Sequence, residues 1–465
     1  MQRIIAIAWL TWKAALRFRL FLVIAALLLL AVVGLPLVIR DDGTARGFTQ
    51  IILTYTLSAI TTLLGLSTLW LACGTLARDI EECQIQVVAT KPIARWQIWI
   101  GKWVGIVTLN AVLLALSGAS VYGLLLWRAT KLPAAEQKNL REQVLVARGS
   151  ARMPDLSAEI DAETVRRLQE AVKNNPQMAS LTGASKDAAI QQIRQEVKSG
   201  LELVPPDYTR QWHINLGAAK NYLRDKPLQL RIKFNSAQGS VSGTFAGIWQ
   251  IGDPTTGNYW QSASMSMAPD TFHEFQIPAN LYDKDGNLTI IFVNPNTTSL
   301  LFPVEDGLEV LYPQGSFALN FVRGLGIILC WLAVLAALGL MAASFLTFPV
   351  AAFFSLAMLA IVASSTTLSE SIDAGTVTAG NSETGVYGHI NLDTILIPTF
   401  KGMVAAVSLV KNFSPIDALS TGRSIPWTVL GLAFAQIVLL MGGFFAIIGI
   451  ICFNRRELAT AQGTQ

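Results

Sequence analysis

A short polar segment, residues 78–102, separates two long apolar runs and concentrates the charges best suited to binding a partner. It carries Arg78, Asp79, Glu81, Glu82, Lys91, Arg95 and Lys102. An apolar run of about 20 residues can cross the hydrocarbon of a bilayer as a helix, and both neighbouring runs reach that length. Because these charges would be costly in lipid, we predict a loop at a membrane face, where a partner in water recognises it.

The familiar catalytic motifs are missing from the sequence. There is no Gly-x-x-x-x-Gly-Lys-Ser/Thr phosphate loop, since Gly101-Lys102 is followed by Trp103 and lacks the upstream glycine. Neither His-Glu-x-x-His nor Gly-x-Ser-x-Gly occurs. The chain is therefore not expected to be an enzyme, and ATP hydrolysis by the phosphate-loop route would belong to another subunit.

The candidate metal ligands are scattered along the chain. Three of the four cysteines lie in apolar runs and the fourth, Cys83, lies in the polar segment. No Cys/His spacing resembles a zinc site, so we expect no metal and no other cofactor in this chain. Trp249, Tyr259 and Trp260 could line a sugar- or lipid-binding face, and core packing explains them at least as well.

The composition is typical of a membrane protein. Of 465 residues, 52% are hydrophobic and 14% are charged. A soluble core does not need so large an apolar fraction. The formal net charge of +4 is small for this length and no long Lys/Arg block occurs, so nucleic acid is not an expected partner.

An interfacial helix and six apolar runs would position the polar loop. Residues 1–19 mix aromatic and basic side chains, which predicts an N-terminal elbow helix in the headgroup region. The runs predict transmembrane helices at 20–39, 50–77, 103–127, 317–344, a fifth that ends near 364, and 427–453. Interface contacts are expected from Trp9, Trp12, Arg17, Arg19, Trp96, Trp99, Arg455 and Arg456.

A hydrophilic stretch between the third and fourth spans is long enough for one or two compact domains. Residues 128–204 predict surface helices, with Ile160, Val165 and Leu168 among the apolar positions of helical period. Residues 205–315 predict an antiparallel β-sandwich, because the apolar residues from Leu228 to Phe234 alternate strictly with polar ones. Asp285-Gly286 is a predicted hairpin turn.

The remaining polar connection, residues 365–426, joins the fifth and sixth spans. Its apolar piece, 395–410, is too short to cross a bilayer and is expected at the outer surface. Arg323, near the outer end of the fourth span, is expected to extend its side chain towards the interface. The domains are thus predicted as 1–127, 128–204, 205–315 and 316–465.

The distribution of Lys and Arg predicts the orientation. The elbow carries four basic and no acidic residues, and the 78–102 loop carries four basic residues. We therefore expect an α-helical polytopic protein of the cell (inner) membrane, with both termini and the 78–102 loop in the cytoplasm. Residues 128–316 would be extracytoplasmic.

Two groups of local motifs lie beside the predicted spans. The first group consists of Arg78-Asp79-x-Glu81, Lys91-Pro92-Ile93-Ala94-Arg95 and Ile100-Gly101-Lys102. The second consists of Ser414-Pro415-Ile416-Asp417 and Phe453-x-Arg455-Arg456-Glu457. Together they resemble motifs of the membrane subunits of ATP-binding-cassette exporters of the type-2 permease class. The resemblance covers roughly 1–127 and 317–458. The chain departs from the family at Cys83 and Gln84, where members usually carry Gly and Thr, and in its large insert.

The resemblance implies a permease subunit without catalytic residues, driven by a separate cytoplasmic nucleotide-binding subunit that holds ATP and Mg. It implies a coupling role for the charged residues of 78–102, together with Pro92 and Gly101. Two permease copies, identical or different, would move an amphiphilic or polymeric substrate outward through the bilayer, and an extracytoplasmic partner is possible. One alternative is an ATPase-coupled scaffold that acts on the cell envelope without transport. The other is a cell-envelope enzyme whose active site lies in the exported domain.

Overall fold

The computed structural model describes residues 2–17, 19–38, 44–82, 93–140, 144–174, 184–236, 238–239, 243–254, 257–364, 398–402, 404, 407 and 413–456. The chain divides into two compact units. A helical unit comprises residues 1–147 and 315–465, and a β-rich unit comprises residues 148–314.

Among the residues that the structure describes, the helical unit contains four helices long and apolar enough to cross a membrane. They are α3 (Ala45–Glu81), α4 (Arg95–Ala129), α8 (Phe317–Phe345) and α11 (Trp427–Arg455). Further described helices of this unit include α1 (Gln2–Arg17), α2 (Arg19–Val38), α5 (Ala134–Asn139), α9 (Phe348–Ala363) and α10 (Pro415–Ser420). Shorter apolar helical stretches lie at Val23–Leu35 and within α9. The chain is therefore a multi-pass membrane protein by the length and composition of its helices.

Helices α3 and α8 form the centre of the helical unit. They pack along each other, and each buries leucines and isoleucines such as Leu57 and Ile60 in α3 and Ile328 in α8. By contrast, α11 directs large apolar side chains such as Leu439 and Ile447 outward. Its middle, Phe434–Gly442, is π-helical. An outward apolar face of this kind suits contact with lipid tails.

The β-rich unit begins with one strand and a pair of helices. Strand β1 (Val146–Arg152) lies in the stretch that the sequence predicted as helical, so the prediction is wrong for these residues. They form a strand because they bond to a later strand, as Ser150 does to Glu309, and do not form a helical face. Helices α6 (Ser157–Asn174) and α7 (Ala184–Glu202) pack through Ile160, Ile193 and Val197. Val165, predicted on the apolar face, is exposed.

Eleven further described strands follow β1. They are β2 (Leu203–Val204), β3 (Thr209–Asn215), β4 (Leu228–Ile232), β5 (Asn235–Ser236), β6 (Phe245–Asp253), β7 (Asn258–Gln261), β8 (Met265–Met267), β9 (His273–Ile277), β10 (Asn287–Val293), β11 (Leu300–Leu301) and β12 (Leu308–Ser316). The first sheet has the order β1-β12-β4-β9, and the second has the order β3-β10-β6-β7 with β8 also paired to β6. A small sheet has the order β2-β11-β5.

One apolar core serves both large sheets. Trp249 of β6 is buried, and its ring centroid lies 4.7 Å from that of Phe292 in β10 and 6.0 Å from that of Phe275 in β9. The alternating residues Leu228, Leu230, Ile232 and Phe234 are all buried in this core. The period-2 pattern thus identified both the strand and its inward side.

The turn at Asp285-Gly286 is present but does not make a hairpin. Gly286 has a φ of +87°, and its N–H donates to the carbonyl of Asp283. The turn connects β9, which pairs with β4, to β10, which pairs with β3 and β6. The hairpin prediction is wrong because a turn signal gives a change of direction but not the partner of each strand.

Candidate functional site

The helix ends that flank residues 83–92 form a charged site at one end of the helical unit. Helix α3 ends at Glu81 and α4 begins at Arg95. We call the following residues the polar end: Arg78, Asp79, Glu81, Arg95, Lys102 and Arg456. Each of them contacts another helix or the backbone immediately after one.

Lys102 and Asp79 join α4 to α3. The Lys102 Nζ lies 2.6 Å from Asp79 Oδ2 and 2.8 Å from the backbone oxygen of Thr75. The Lys102 residue is only 6% exposed, so its ammonium has exchanged water for these oxygens. A buried ammonium is tolerable only with such partners. Lys102 therefore holds the end of α3 against the second turn of α4.

Arg95 binds the end of the last helix. Its Nη1 donates to the backbone oxygens of Phe453 at 2.9 Å, Asn454 at 2.8 Å and Arg456 at 2.9 Å. The last carbonyls of a helix lack partners within it, and they carry the negative end of its dipole. A guanidinium placed there satisfies both, and it joins the start of α4 to the end of α11.

Two further contacts extend the polar end to α8 and α9. The Arg456 Nη1 lies 3.4 Å from the backbone oxygen of Ala343 and 3.3 Å from that of Ser344, near the end of α8. Glu81 Oε1 accepts a hydrogen bond of 2.9 Å from the N–H of Phe348, the first residue of α9. The Arg78 guanidinium lies 4.7 Å from the centroid of the Phe348 ring. Charged side chains thus connect five helices at this end.

Gly101 has a packing role that the sequence did not reveal. A Cβ added at Gly101 would lie 2.7 Å from Ile7 Cβ, and one added at Gly105 would lie 2.8 Å from Thr11 Cβ and 2.9 Å from the Ala8 oxygen. Glycines four residues apart on α4 therefore admit α1 at close range. The spacing Gly-x-x-x-Gly was the signal that could have indicated this contact.

The predicted interface residues divide into exposed and buried groups. Trp9, Arg17, Trp96 and Arg455 are exposed, and Trp12 donates from Nε1 to Thr108 Oγ1 at 3.0 Å. Trp99 is 1% exposed, so the prediction that it anchors at the interface is not supported by its position. A Cβ added at Gly449 would lie 2.8 Å from Trp99 Nε1, and this glycine gives the indole its space beside α11.

Some predicted residues lie outside the described part of the chain. These are Lys91, Pro92, Cys83, Gln84 and Glu457, together with the side chain of Arg19 and most of the 365–426 connection. Glu82 is described and exposed at the end of α3. The coupling role of the charged segment stays a prediction.

A second polar contact, at residues 320–323 of α8, holds the segment that precedes α11. Asn320 Nδ2 donates to the oxygen of Arg423 at 2.7 Å, and its Oδ1 accepts from the N–H of Ile425 at 2.7 Å. Arg323 donates to the oxygen of Ile425 and is buried, so it does not extend to the interface as expected. Neighbouring carbonyls satisfy the guanidinium inside the protein, which removes the need to reach water.

The three aromatic residues of the predicted ligand face are separated by the sheet. Trp249 is in the core, and the Trp260 ring lies 6.2 Å from that of Phe275 on the same inner side. Tyr259 is 47% exposed on the opposite side. Among the described residues, no group of three or more His, Cys, Asp or Glu side chains could hold a metal ion.

Comparison with known proteins gives no further assignment: no protein-family model, curated protein or solved structure matches this chain.

Proposed function

We propose that this chain is the membrane subunit of an ATP-driven exporter of the type-2 ATP-binding-cassette permease class. The observation that carries the proposal is the set of charged contacts at the polar end. Lys102, Arg95 and Arg456 bind the ends of α3, α11 and α8, and residues 83–92 connect α3 to α4 in the sequence. A partner that displaces this segment would therefore move several long helices together, as rigid-body coupling requires.

The proposal assigns six spans, namely α2, α3, α4, α8, α9 and α11. Between Leu20 and Val38, α2 has no charged residue, and α9 has none over its whole length. Helix α2 has the length that crosses a bilayer, and α9, with 16 residues, is slightly shorter and would cross where the bilayer is locally thinned. The basic residues of the polar end favour the cytoplasm for it, which puts the β-rich unit outside.

The partners follow from this arrangement. The sequence contains no phosphate-loop motif, so the proposed energy source is a cytoplasmic ATPase that binds ATP and Mg²⁺. A second permease copy would complete the pathway, since one copy presents much of α11 to its surroundings. The substrate would be amphiphilic or polymeric, and the β-rich unit would receive it or recruit an outer partner.

Purification of the cross-linked complex tests the proposal. The tagged chain is cross-linked in membranes, purified and assayed for a Walker-type ATPase subunit and for ATP hydrolysis. Lys91→Glu should remove that subunit, because it reverses a charge in the segment proposed to dock it. Arg95 is left unchanged, since its guanidinium binds the end of α11. Lys138→Glu, an exposed position on α5, is the matched control.

Absence of any such ATPase from the wild-type complex would overturn the proposal. If the ATPase is present, transport of labelled lipid and glycan extracts into inverted vesicles separates an exporter from the ATPase-coupled scaffold. ATP-dependent accumulation identifies the exporter, and hydrolysis without accumulation identifies the scaffold. Hydrolysis of an envelope polymer by the chain without the ATPase would identify the enzyme instead.

A further inference from the structure

The outer side of the second sheet of the β-rich unit carries a row of uncharged amide side chains. Gln211 of β3 is opposite Ile291 of β10, which is opposite Gln250 of β6, which is opposite Gln261 of β7. These side chains alternate with the core residues Trp249 and Phe292 and therefore point away from the core. All four are exposed or half-buried.

A second row runs beside the first, two residues along each strand. It contains His213 opposite Thr289, and Gly252 opposite Tyr259. Thr289 Oγ1 lies 3.3 Å from His213 Nδ1, so the hydroxyl and the ring are mutually positioned. Gly252 has a φ of +109° and contributes no side chain to the row beside Tyr259. We call these two rows the uncharged face.

The first sheet has the opposite chemistry on its outer side. Arg231 is opposite Glu309 and Glu274 on the adjacent strands, and Arg148 lies 2.8 Å from Glu274. These four charged residues have side chains under 10% exposed, so they are paired within the protein. The uncharged face therefore differs from its counterpart both in charge and in openness.

We propose that the uncharged face is a binding site for a neutral polysaccharide. Primary amides donate and accept hydrogen bonds without a charge, and they match the hydroxyl groups of a sugar. The half-exposed Tyr259 ring offers an apolar surface for one face of a pyranose and a hydroxyl at its tip. Adjacent strands about 4.8 Å apart set these groups in a regular array that suits an extended chain.

The alternatives fit the face less well. Nucleic acid or anionic phospholipid would need Lys or Arg to neutralise phosphate, and the two rows contain neither. A protein partner would favour a dry apolar centre, whereas the first row has three glutamines and one isoleucine. The inference is independent of export, because it concerns binding by a folded surface and not movement through the membrane.

Binding of defined oligosaccharides to the full chain tests the inference. The chain is reconstituted in nanodiscs of neutral phospholipid, so that no sugar-headed detergent competes. Chitohexaose and cellohexaose are the neutral probes, and alginate is the anionic control. We expect saturable binding of at least one neutral probe, weakened about tenfold by Tyr259→Ala through loss of ring contact.

Two further variants keep the result independent of folding. Gln250→Leu removes the central amide but retains a residue suited to a strand, and it should also weaken binding. Tyr222→Ala removes an exposed tyrosine that contacts Tyr312, outside the two rows, and it should leave binding unchanged. Thermal unfolding of each variant confirms that the chain is folded.

Three outcomes would overturn the proposal. These are no binding of either neutral probe, equal or tighter binding of alginate, and binding that Tyr259→Ala and Gln250→Leu both leave unchanged. A change in oligomeric mass on Tyr259→Ala, without neutral-glycan binding by the wild type, would assign the face to contact between copies of the chain.

Discussion

Charged side chains in the helical unit bind the ends of helices. Arg95 is not a free surface cation in this arrangement, since its Nη1 donates to three backbone oxygens. Lys102 is buried and paired with the partly exposed Asp79, and Arg323 is bound to the oxygen of Ile425. In an apolar unit each such charge stabilises one geometry, because any other would leave it without an acceptor.

Removal of the Asp79 carboxylate should destabilise the helical unit. Asp79→Ala leaves the Lys102 ammonium with the Thr75 oxygen but without its counter-ion. Since the Asp79 side chain is about one-third exposed, the expected cost is about 1–3 kcal/mol rather than the larger value of a fully buried pair. Thermal unfolding of the purified chain measures it as a lower Tm.

A double-mutant cycle isolates the pair. Lys102→Met in the Asp79→Ala background should recover much of the lost stability, because the unpaired ammonium is then gone. Arg455→Ala, an exposed change at the same end, should shift stability by less than about 0.5 kcal/mol. Additive effects of Asp79→Ala and Lys102→Met would show that the two side chains are not coupled.

Helices α1 and α4 pack through glycines, and this contact makes α1 part of the helical unit. Ile7, Thr11 and Ala15 recur every fourth residue and are buried. Gly101 and Gly105 lie opposite this face. The α1 helix is amphipathic as the sequence predicts, yet its buried face contacts protein, while Trp9 and Leu10 are exposed. An elbow held in this way would move together with α4.

Gly105→Ala and Gly123→Ala should have opposite effects, although both glycines lie in α4. A Cβ at position 105 would lie 2.9 Å from the Ala8 oxygen and 3.0 Å from Ala8 Cα, which are backbone atoms that cannot rotate away. Gly105→Ala should therefore destabilise the helical unit. A Cβ at 123 meets nothing within 4 Å, and Gly123→Ala should raise the free energy of unfolding by up to about 1 kcal/mol through the higher helix propensity of alanine. Thermal unfolding compares them, and stabilisation by both changes would refute the close contact.

The sequence predicted the elements better than their partners. Hydrophobic length located α3, α4, α8 and α11, and the period of two identified β4, because burial along a strand repeats in the sequence itself. The bond from Arg95 to Phe453 joins residues 358 positions apart, and no local pattern encodes it. The burial of Trp99 was missed for the same reason, since an apolar run predicts the length of a helix but not which of its sides faces other helices.

Strand β4 shows how a polar pattern can mislead about exposure. Arg231 alternates with buried apolar residues and so predicts a solvated side, but it is buried. Glu274 and Glu309 are opposite it on both adjacent strands, and the Arg231 guanidinium lies 3.8 Å from the centroid of Phe272. Cross-strand charge pairing made this burial tolerable. Pairing of that kind depends on sheet order, which alternation does not specify.

The whole molecule combines two units with different kinds of interior. The helical unit has an aliphatic core, and its buried Lys102 binds the end of a helix, whereas the β-rich unit has an aromatic core and carries buried charge pairs on the outer side of one sheet. The first composition suits a bilayer and the second suits water on both sides. The proposed topology assigns the units to these two solvents and the polar end to the cytoplasm.

Accessibility to a membrane-impermeant maleimide tests that topology. Single cysteines are introduced by Glu82→Cys at the end of α3 and by Glu159→Cys in α6, both exposed positions, in a background in which the four native cysteines Cys73, Cys83, Cys330 and Cys452 are replaced. Sealed cells should label Glu159→Cys and should label Glu82→Cys only after the membrane is permeabilised, because the bilayer separates the two sites. Labelling of Glu82→Cys in sealed cells, with Glu159→Cys protected, would reverse the orientation and remove the polar end from any cytoplasmic ATPase. Equal labelling of both in sealed cells would place them on one side, which an odd number of spans between them does not permit.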